Sequence, residues 1–249
     1  MESNVKTALI TGASGGIGSA TVIEYLKNGY FVIGQYNSGK ERIDALKSQL
    51  REQGLLDYFF AIKSDFSDNA QTLDMCKTLQ KSFKHIDALV LNAGAGLYKL
   101  FTDTTDTEWQ NLLNVNLTSA VMISKQFLPE MISRKSGNIV FVSSVWGQKG
   151  ASMEVCYSAT KSALIGLTKA LAKEVAPSGV RVNCVCPGFI DTPINSRLSK
   201  EDVQSIVEEI PLGRVGTPEE VAKLIYLLTD KTSAYITGAE ITIDGGWTL

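Results

Sequence analysis

The sequence predicts an α/β protein: one doubly wound, seven-stranded parallel sheet with helices on both faces. Three observations carry this. Short apolar runs alternate with longer amphipathic stretches along all 249 residues, the order expected of parallel strands joined by right-handed helical crossovers. Runs such as "ALVL" (Ala88–Leu91) and "IVFV" (Ile139–Val142) are apolar at every position, as strands covered on both faces require. A glycine-rich turn, "TGASGGIG", follows the first apolar run directly.

Taken in order, Val5–Ile10 is the first strand and Gly16–Asn28 the helix after it. The apolar run "FVIGQ", Phe31–Gln35, is the second strand, and a helix near Lys40–Gln53 follows. Tyr58–Lys63 and a helix near Asn69–Phe83 repeat the unit. Ala88–Leu91 is the fourth strand, with one long helix near Thr107–Ser133. Asn138–Val142 and a helix near Glu154–Ala176 come next, then the sixth strand, Arg181–Val185. Shorter helices near Lys200–Glu209 and Pro218–Leu228 lead to the last strand, Glu240–Ile243. No Pro/Ser-rich linker divides the chain, so residues 1–249 read as a single domain. Asp191–Val215, with Pro193, Pro211 and several glycines, is less regular and reads as a mobile substrate flap.

Composition narrows the function. The chain is 44% hydrophobic with a net charge of -2 and no basic run, so a sizeable core is expected and nucleic acid is not. Cys76, Cys156, Cys184 and Cys186 form no CxxC pair and there is one histidine, so no metal site is expected. The thiols read as reduced, in a cytoplasmic protein. The start, "MESNVKTALITG", lacks a charged segment followed by a long apolar one, and no apolar run of about 18 residues occurs, so neither a signal peptide nor a membrane span is expected. His85 precedes a strand and reads as a loop residue.

Two stretches carry chemistry. In the first turn, Gly12, Gly16 and Gly18 allow a tight turn and close approach of backbone to a pyrophosphate, with a helix N-terminus offering N–H groups beyond it; the alternative is a glycine turn with no ligand. In "YSATK", Tyr157 and Lys161 are four apart and share a helix face. Alone this spacing usually marks a surface pair. A nearby ammonium, however, lowers a phenol's pKa from about 10 and makes it a usable acid. Ser144 lies thirteen residues before Tyr157, with Ser143 the competing hydroxyl.

Together, "TGASGGIG", "NAG" (Asn92, Ala93, Gly94), a serine before "YxxxK", and "PG" (Pro187, Gly188) resemble the short-chain dehydrogenase/reductases, in that family's order and spacing over nearly the whole chain. The resemblance implies a single-domain Rossmann fold and an oxidoreductase interconverting a carbonyl and an alcohol with a nicotinamide dinucleotide. It makes Tyr157 the proton donor and has Lys161 also hold the nicotinamide ribose. Ser144 orients the substrate oxygen. Asn116, in "NVNLTS", supports a water-linked proton path. It assigns cofactor contacts to Gly12, Ser14, Gly16, Ile17, Gly18, Tyr36, Asn37, Ser38, Asp65, Asn92, Ala93, Gly94, Tyr157, Lys161, Pro187, Gly188, Ile190 and Thr192. Asp65 reads equally well as a helix cap.

For the choice of dinucleotide, Tyr36 stands where NAD-preferring relatives carry an aspartate, and Asn37, Ser38 and Lys40 can serve a 2′-phosphate. NADP(H) is therefore expected, with NAD(H) the alternative, although Gly15 occupies a position where many NADP-using relatives place a basic residue.

The segment "PLGRVGTPEEVAKLIYLLTDKTSAYITGAEITIDGG" is similar to the 3-oxoacyl-(acyl carrier protein) reductases of fatty acid biosynthesis, implying a small or carrier-bound carbonyl substrate. Carrier docking in those enzymes uses basic residues; Arg134 and Lys135 are available, while Ser178 replaces another. The stretch "SSVWGQKGASMEVCYS" also looks like a bacterial subgroup that reduces an aminopentanone group on elongation factor P. There Glu154 would pair with an amine and Trp146 offer a cation–π face, or Trp146 simply packs the pocket wall. A nucleotide-binding sensor on the same fold is the non-enzyme alternative, disfavoured because Tyr157 and Lys161 are both present. The resemblance also implies a homotetramer, with one contact through the helices near Thr107–Ser133 and Glu154–Ala176 and another through the last strand.

Overall fold

The computed structural model describes residues 5–193 and 198–249. Residues 194–197, inside the expected flap, lie outside that range. Seven parallel strands form one sheet: Thr7–Ile10 (β1), Phe31–Tyr36 (β2), Phe59–Lys63 (β3), Ala88–Leu91 (β4), Gly137–Val142 (β5), Val180–Pro187 (β6) and Glu240–Ile243 (β7). Their spatial order is β3-β2-β1-β4-β5-β6-β7. The chain winds outward from β1, then returns to place β4 on the other side of it.

The helices are Gly16–Lys27 (α1), Lys40–Glu52 (α2), Asn69–Ser82 (α3), Asp106–Leu113 (α4), Ser119–Ser133 (α5), Val145–Lys149 (α6), Val155–Val175 (α7), Lys200–Glu209 (α8) and Pro218–Thr229 (α9). Alternate residues of each strand feed opposite cores. Leu9, Ile33, Leu89, Ile139 and Phe141 pack beneath α3, α5 and α7. Ala8, Ile10, Val32, Val90 and Val140 pack against α1, α2 and α9. The register aligns these sets, with Leu9 beside both Ile33 and Leu89, and Ala8 beside Val32 and Ala88. Each fully buried aliphatic side chain is worth roughly 1.5–3 kcal/mol relative to exposure, so the period-2 pattern determines which helix covers which face.

The single helix expected over Thr107–Ser133 is interrupted. Asn114–Thr118 is a π-turn between α4 and α5, with Asn116 buried in it. A stretched turn leaves the amphipathic pattern nearly intact, so periodicity alone does not reveal it. The short helix α6 was not expected; its five residues are too few to show a period. Asp68, not Asp65, caps α3, accepting from Ala70 N at 2.8 Å. All four cysteines are free and buried, and no described helix is long and apolar enough to cross a membrane.

Arg134 is not poised for docking. Its Nη1 donates to Asp87 Oδ1 at 2.7 Å and its Nη2 to Ile86 O at 2.7 Å. Asp87 Oδ2 accepts from Thr7 N at 2.8 Å. Both Asp87 and Thr7 stand where β4 and β1 begin, so this guanidinium ties the entry end of the sheet, opposite the end where the strands exit. His85, in the loop before β4, joins the cluster through Nδ1 to Glu130 Oε1 at 2.6 Å. Arg134→Ala should lower unfolding free energy by about 1–3 kcal/mol in urea titrations and leave kcat/KM unchanged; a loss of activity without a loss of stability would contradict the structural role.

Candidate active site

The exits of β1, β4, β5 and β6 converge at the point where the winding reverses, the place where doubly wound sheets open a crevice. Gly12 leaves β1 with φ +70°, a conformation that side chains disfavour. A Cβ at Gly18 would collide with the Gly12 carbonyl, so the turn closes only with glycine there. Gly15 heads α1 without a side-chain cap, and its first turn carries no acidic residue. An uncapped, uncrowded helix N-terminus beside a glycine turn fits a pyrophosphate.

Two buried polar residues hold this turn, and sequence reading did not single them out. Gln35 is buried within β2. Its Oε1 accepts from Gly12 N at 3.0 Å and its Nε2 donates to Ser64 O at 2.7 Å. Thr11 Oγ1 accepts from both Asn92 N and Ala93 N at 3.0 Å. Asn92 Nδ2 returns a bond to Thr11 O at 3.0 Å, so Asn92 braces the glycine turn with its side chain. The available signal was a glutamine in an otherwise apolar strand, which demands partners when buried.

Around the turn, Ser14 and Ile17 are half-buried, Tyr36 is half-buried at the end of β2, and Asn37 and Ser38 are exposed beyond it. Asp65 Oδ1 accepts from Ser67 N at 2.9 Å and Ser67 Oγ at 2.8 Å. These bonds, led by the Ser67 amide and joined by the Asn37 side chain, hold its carboxyl below the usual range. Thr192 brings its methyl over Gly16, where a Cβ would come within 2.7 Å. Pro187 ends β6, and Gly188 packs against Asp244. The Ile190 side chain is 4% exposed and packs in the core under α1 and α9.

The chemistry end is built by docking α7 onto the exit of β5. Ser143 Oγ donates to Lys161 O at 2.8 Å, and Lys161 Nζ donates to Val142 O at 2.9 Å. Gly147 lets α6 pass, since a Cβ there would lie 2.7 Å from Ser143 Oγ and 2.8 Å from the Lys161 carbonyl carbon. Ser143 is thereby committed to structure. Ser144 caps α6, accepting from Trp146 N at 3.1 Å, and also hydrogen-bonds the Tyr157 hydroxyl. Asn116 joins β4's exit to α7. Its Oδ1 accepts from Ala95 N at 2.8 Å, while its Nδ2 donates to Ala95 O at 3.0 Å and Thr160 Oγ1 at 3.1 Å. Gly94 lies beside both Asn116 and Lys161; a Cβ on it would be 3.2 Å from Nζ.

The electrostatics differ from expectation. Burial pushes the Tyr157 phenol up to about 12, opposed by the Ser144 hydrogen bond and reinforced by the charge of Glu154. Lys161 stands 5.6 Å from the ring centroid with its ammonium turned to Val142 O, and it is not among the groups that shift the phenol. Burial also brings Lys161 down to about 8, with Cys184 and Cys186 opposing. The result is a phenol that keeps its proton at neutral pH, next to a cation that loses its own just above neutrality.

Beside Ser144, the Trp146 ring meets Trp247 edge-on at 4.9 Å between centroids, and Phe189 meets Trp247 at 6.4 Å. Trp247 Nε1 donates to Glu209 Oε2 at 3.0 Å, joining α8 to the C-terminal segment. Trp247 was not foreseen from sequence, because a tryptophan a hundred residues downstream of Trp146 carries no local signal.

Comparison with known proteins agrees with this geometry. A family model described as short chain dehydrogenase matches residues 6–203. The chain is 38% identical over 244 residues to the uncharacterized oxidoreductase YmfI of Bacillus subtilis (strain 168), covering 97% of this chain and 98% of that protein. It is 38% identical over 241 residues to the 3-oxoacyl-[acyl-carrier-protein] reductase of Thermotoga maritima, covering 97% of each. A solved short-chain dehydrogenase/reductase of the glucose/ribitol dehydrogenase type, from Brucella melitensis, superposes with a TM-score of 0.89 at 32% identity, covering 98% of this chain and 97% of that one.

The two adjacent serines separate by experiment. Ser144→Ala is expected to reduce turnover about 100-fold or more, while Ser143→Ala keeps turnover and loses about 1 kcal/mol of stability; the opposite pattern would exchange their roles.

Proposed function

The chain belongs to the short chain dehydrogenase family, an oxidoreductase family acting between CH–OH and C=O with nicotinamide dinucleotides, and from that membership we propose that it is an NADP(H)-dependent carbonyl reductase of the 3-oxoacyl thioester type. The observation that carries the reading is the cluster of Ser144, Tyr157 and Lys161 at the sheet exit, beside a glycine turn shaped for a pyrophosphate. A sensor has no use for a buried proton donor held by a serine.

Gly12, Ser14, Gly16, Gly18 and the Asn92–Gly94 exit hold the dinucleotide, which supplies the hydride. Tyr157 supplies the proton that the carbonyl oxygen gains, and Ser144 orients that oxygen. Protonation of Tyr157 at neutral pH is the state a donor needs. The Lys161 ammonium favours the phenolate left behind, and Asn116 carries the path by which that proton is replaced. Reduction therefore requires Lys161 charged. That form is present below about 8 and disappears above it, so kcat/KM for reduction should fall as pH rises through that value. The charge was acquired at the expense of burial, and the protonated form is the one burial disfavours, which places the fall below a free lysine's range.

A second reading has specific support: the charge of Glu154 acts on the Tyr157 phenol, and the Trp146 ring, two residues after Ser144, meets that of Trp247 edge-on. That arrangement suits an amine-bearing ketone, such as an aminopentanone group on elongation factor P, through charge pairing and cation–π contact. Arg134 is tied to Asp87 and the Ile86 carbonyl at the other end of the sheet. The same reading extends to a cytoplasmic homotetramer that would use the α4–α5 and α7 faces and β7, an edge strand of the sheet.

A panel of acyl thioesters, small ketones and amine-bearing ketones, assayed with NADPH and NADH on both sides of about pH 8, tests the reading. Turnover of the thioesters with NADPH is expected, declining above about 8. Preference for amine-bearing ketones, lost in Glu154→Gln, selects the second reading; dinucleotide binding without turnover of any ketone refutes both in favour of a sensor.

A further inference from the structure

The glycine turn has no cation of its own, because Gly15 occupies the position after Ser14. The fold brings one from elsewhere. Arg42, exposed on α2, reaches across 28 residues of sequence to donate Nε to Ser14 O at 2.9 Å. Gly39 makes room: a Cβ there would lie 2.9 Å from Arg42 Nη2 and 2.6 Å from Ser14 Oγ. A guanidinium, a serine hydroxyl and a bare backbone thus converge where β2 ends and the glycine turn begins. Lys40, the cation nearest in sequence to the end of β2, is instead engaged by Asp44 at 2.9 Å.

We propose that Arg42 is the residue that selects the phosphorylated dinucleotide: its guanidinium, with the Ser14 hydroxyl and the Asn37–Ser38 turn, forms the 2′-phosphate subsite. This rests on the NADP(H) reading above and names the group responsible for it. A single N–H spent on Ser14 O both anchors the planar guanidinium and leaves its other donors for phosphate oxygens, the geometry for which arginine is suited. Among the described residues no carboxylate pairs with Arg42. The nearby carboxylate of Asp65 is already satisfied by Ser67 and Asn37, which blunts its repulsion of a phosphate. A purely structural arginine would bridge Ser14 and α2 to steady the turn, and would matter equally to either dinucleotide.

The test is equilibrium binding of NADPH, NADH and adenosine 2′,5′-bisphosphate to the intact protein, to Arg42→Ala and to Lys40→Ala. Arg42→Ala is expected to weaken NADPH and the bisphosphate by roughly 10-fold or more while NADH stays within about twofold. Equal weakening of both dinucleotides, no weakening, or loss of preference in Lys40→Ala instead would overturn the assignment. Wild-type protein binding NADH as tightly as NADPH would overturn the NADP(H) reading itself. A wild type that prefers NADPH, with Arg42→Ala still preferring it, defeats this inference alone.

Discussion

The site depends on how α7 is seated against the end of β5. Ser143 holds the Lys161 carbonyl and Lys161 holds the Val142 carbonyl, so backbone and side chain of one residue are both fixed to the strand exit. Ser144, next along the chain, is then aimed at the crevice, with Tyr157 one helical turn before the lysine. Burying an ammonium without a carboxylate is costly; the lowered pKa of Lys161 records that cost. A cation near its own titration point in a water-poor pocket responds strongly to charge that appears beside it.

The dinucleotide end follows the same logic with neutral groups. Gln35 and Thr11, both buried, are each fully engaged with backbone around Gly12, Asn92 and Ala93. They lock a left-handed glycine and two strand exits into one rigid rim. Residues that touch a ligand and residues that shape the place for it are thus different sets. The Asn92 side chain serves the second purpose, and the Ile190 side chain lies in the hydrophobic core.

Where expectation and structure part, the cause is distance along the chain or competition between forces. A cation four residues from a phenol should lower its pKa, yet the ammonium turns to a carbonyl 2.9 Å away and burial raises the phenol instead. Lys40 lies closest in sequence to the end of β2, yet the helix places Asp44 one turn along from it, and the i, i+4 ion pair forms there instead. Arg134 is basic and near a helix end, yet its carboxylate partner Asp87 precedes β4 at the entry end of the sheet.

The amino-acid sequence by itself determined the strand-and-helix order, the glycine turn, the paired tyrosine and lysine, and the family. Each of these is written in local periodicity or short spacing, and local geometry converts such patterns directly into structure. Only the tertiary structure decided that Ser143 is spent on the Lys161 carbonyl, which arginine reaches the glycine turn, and that Trp146 meets Trp247. Those contacts join residues brought together by crossovers of the sheet, and no local pattern encodes a distance that exists only after the two cores have closed.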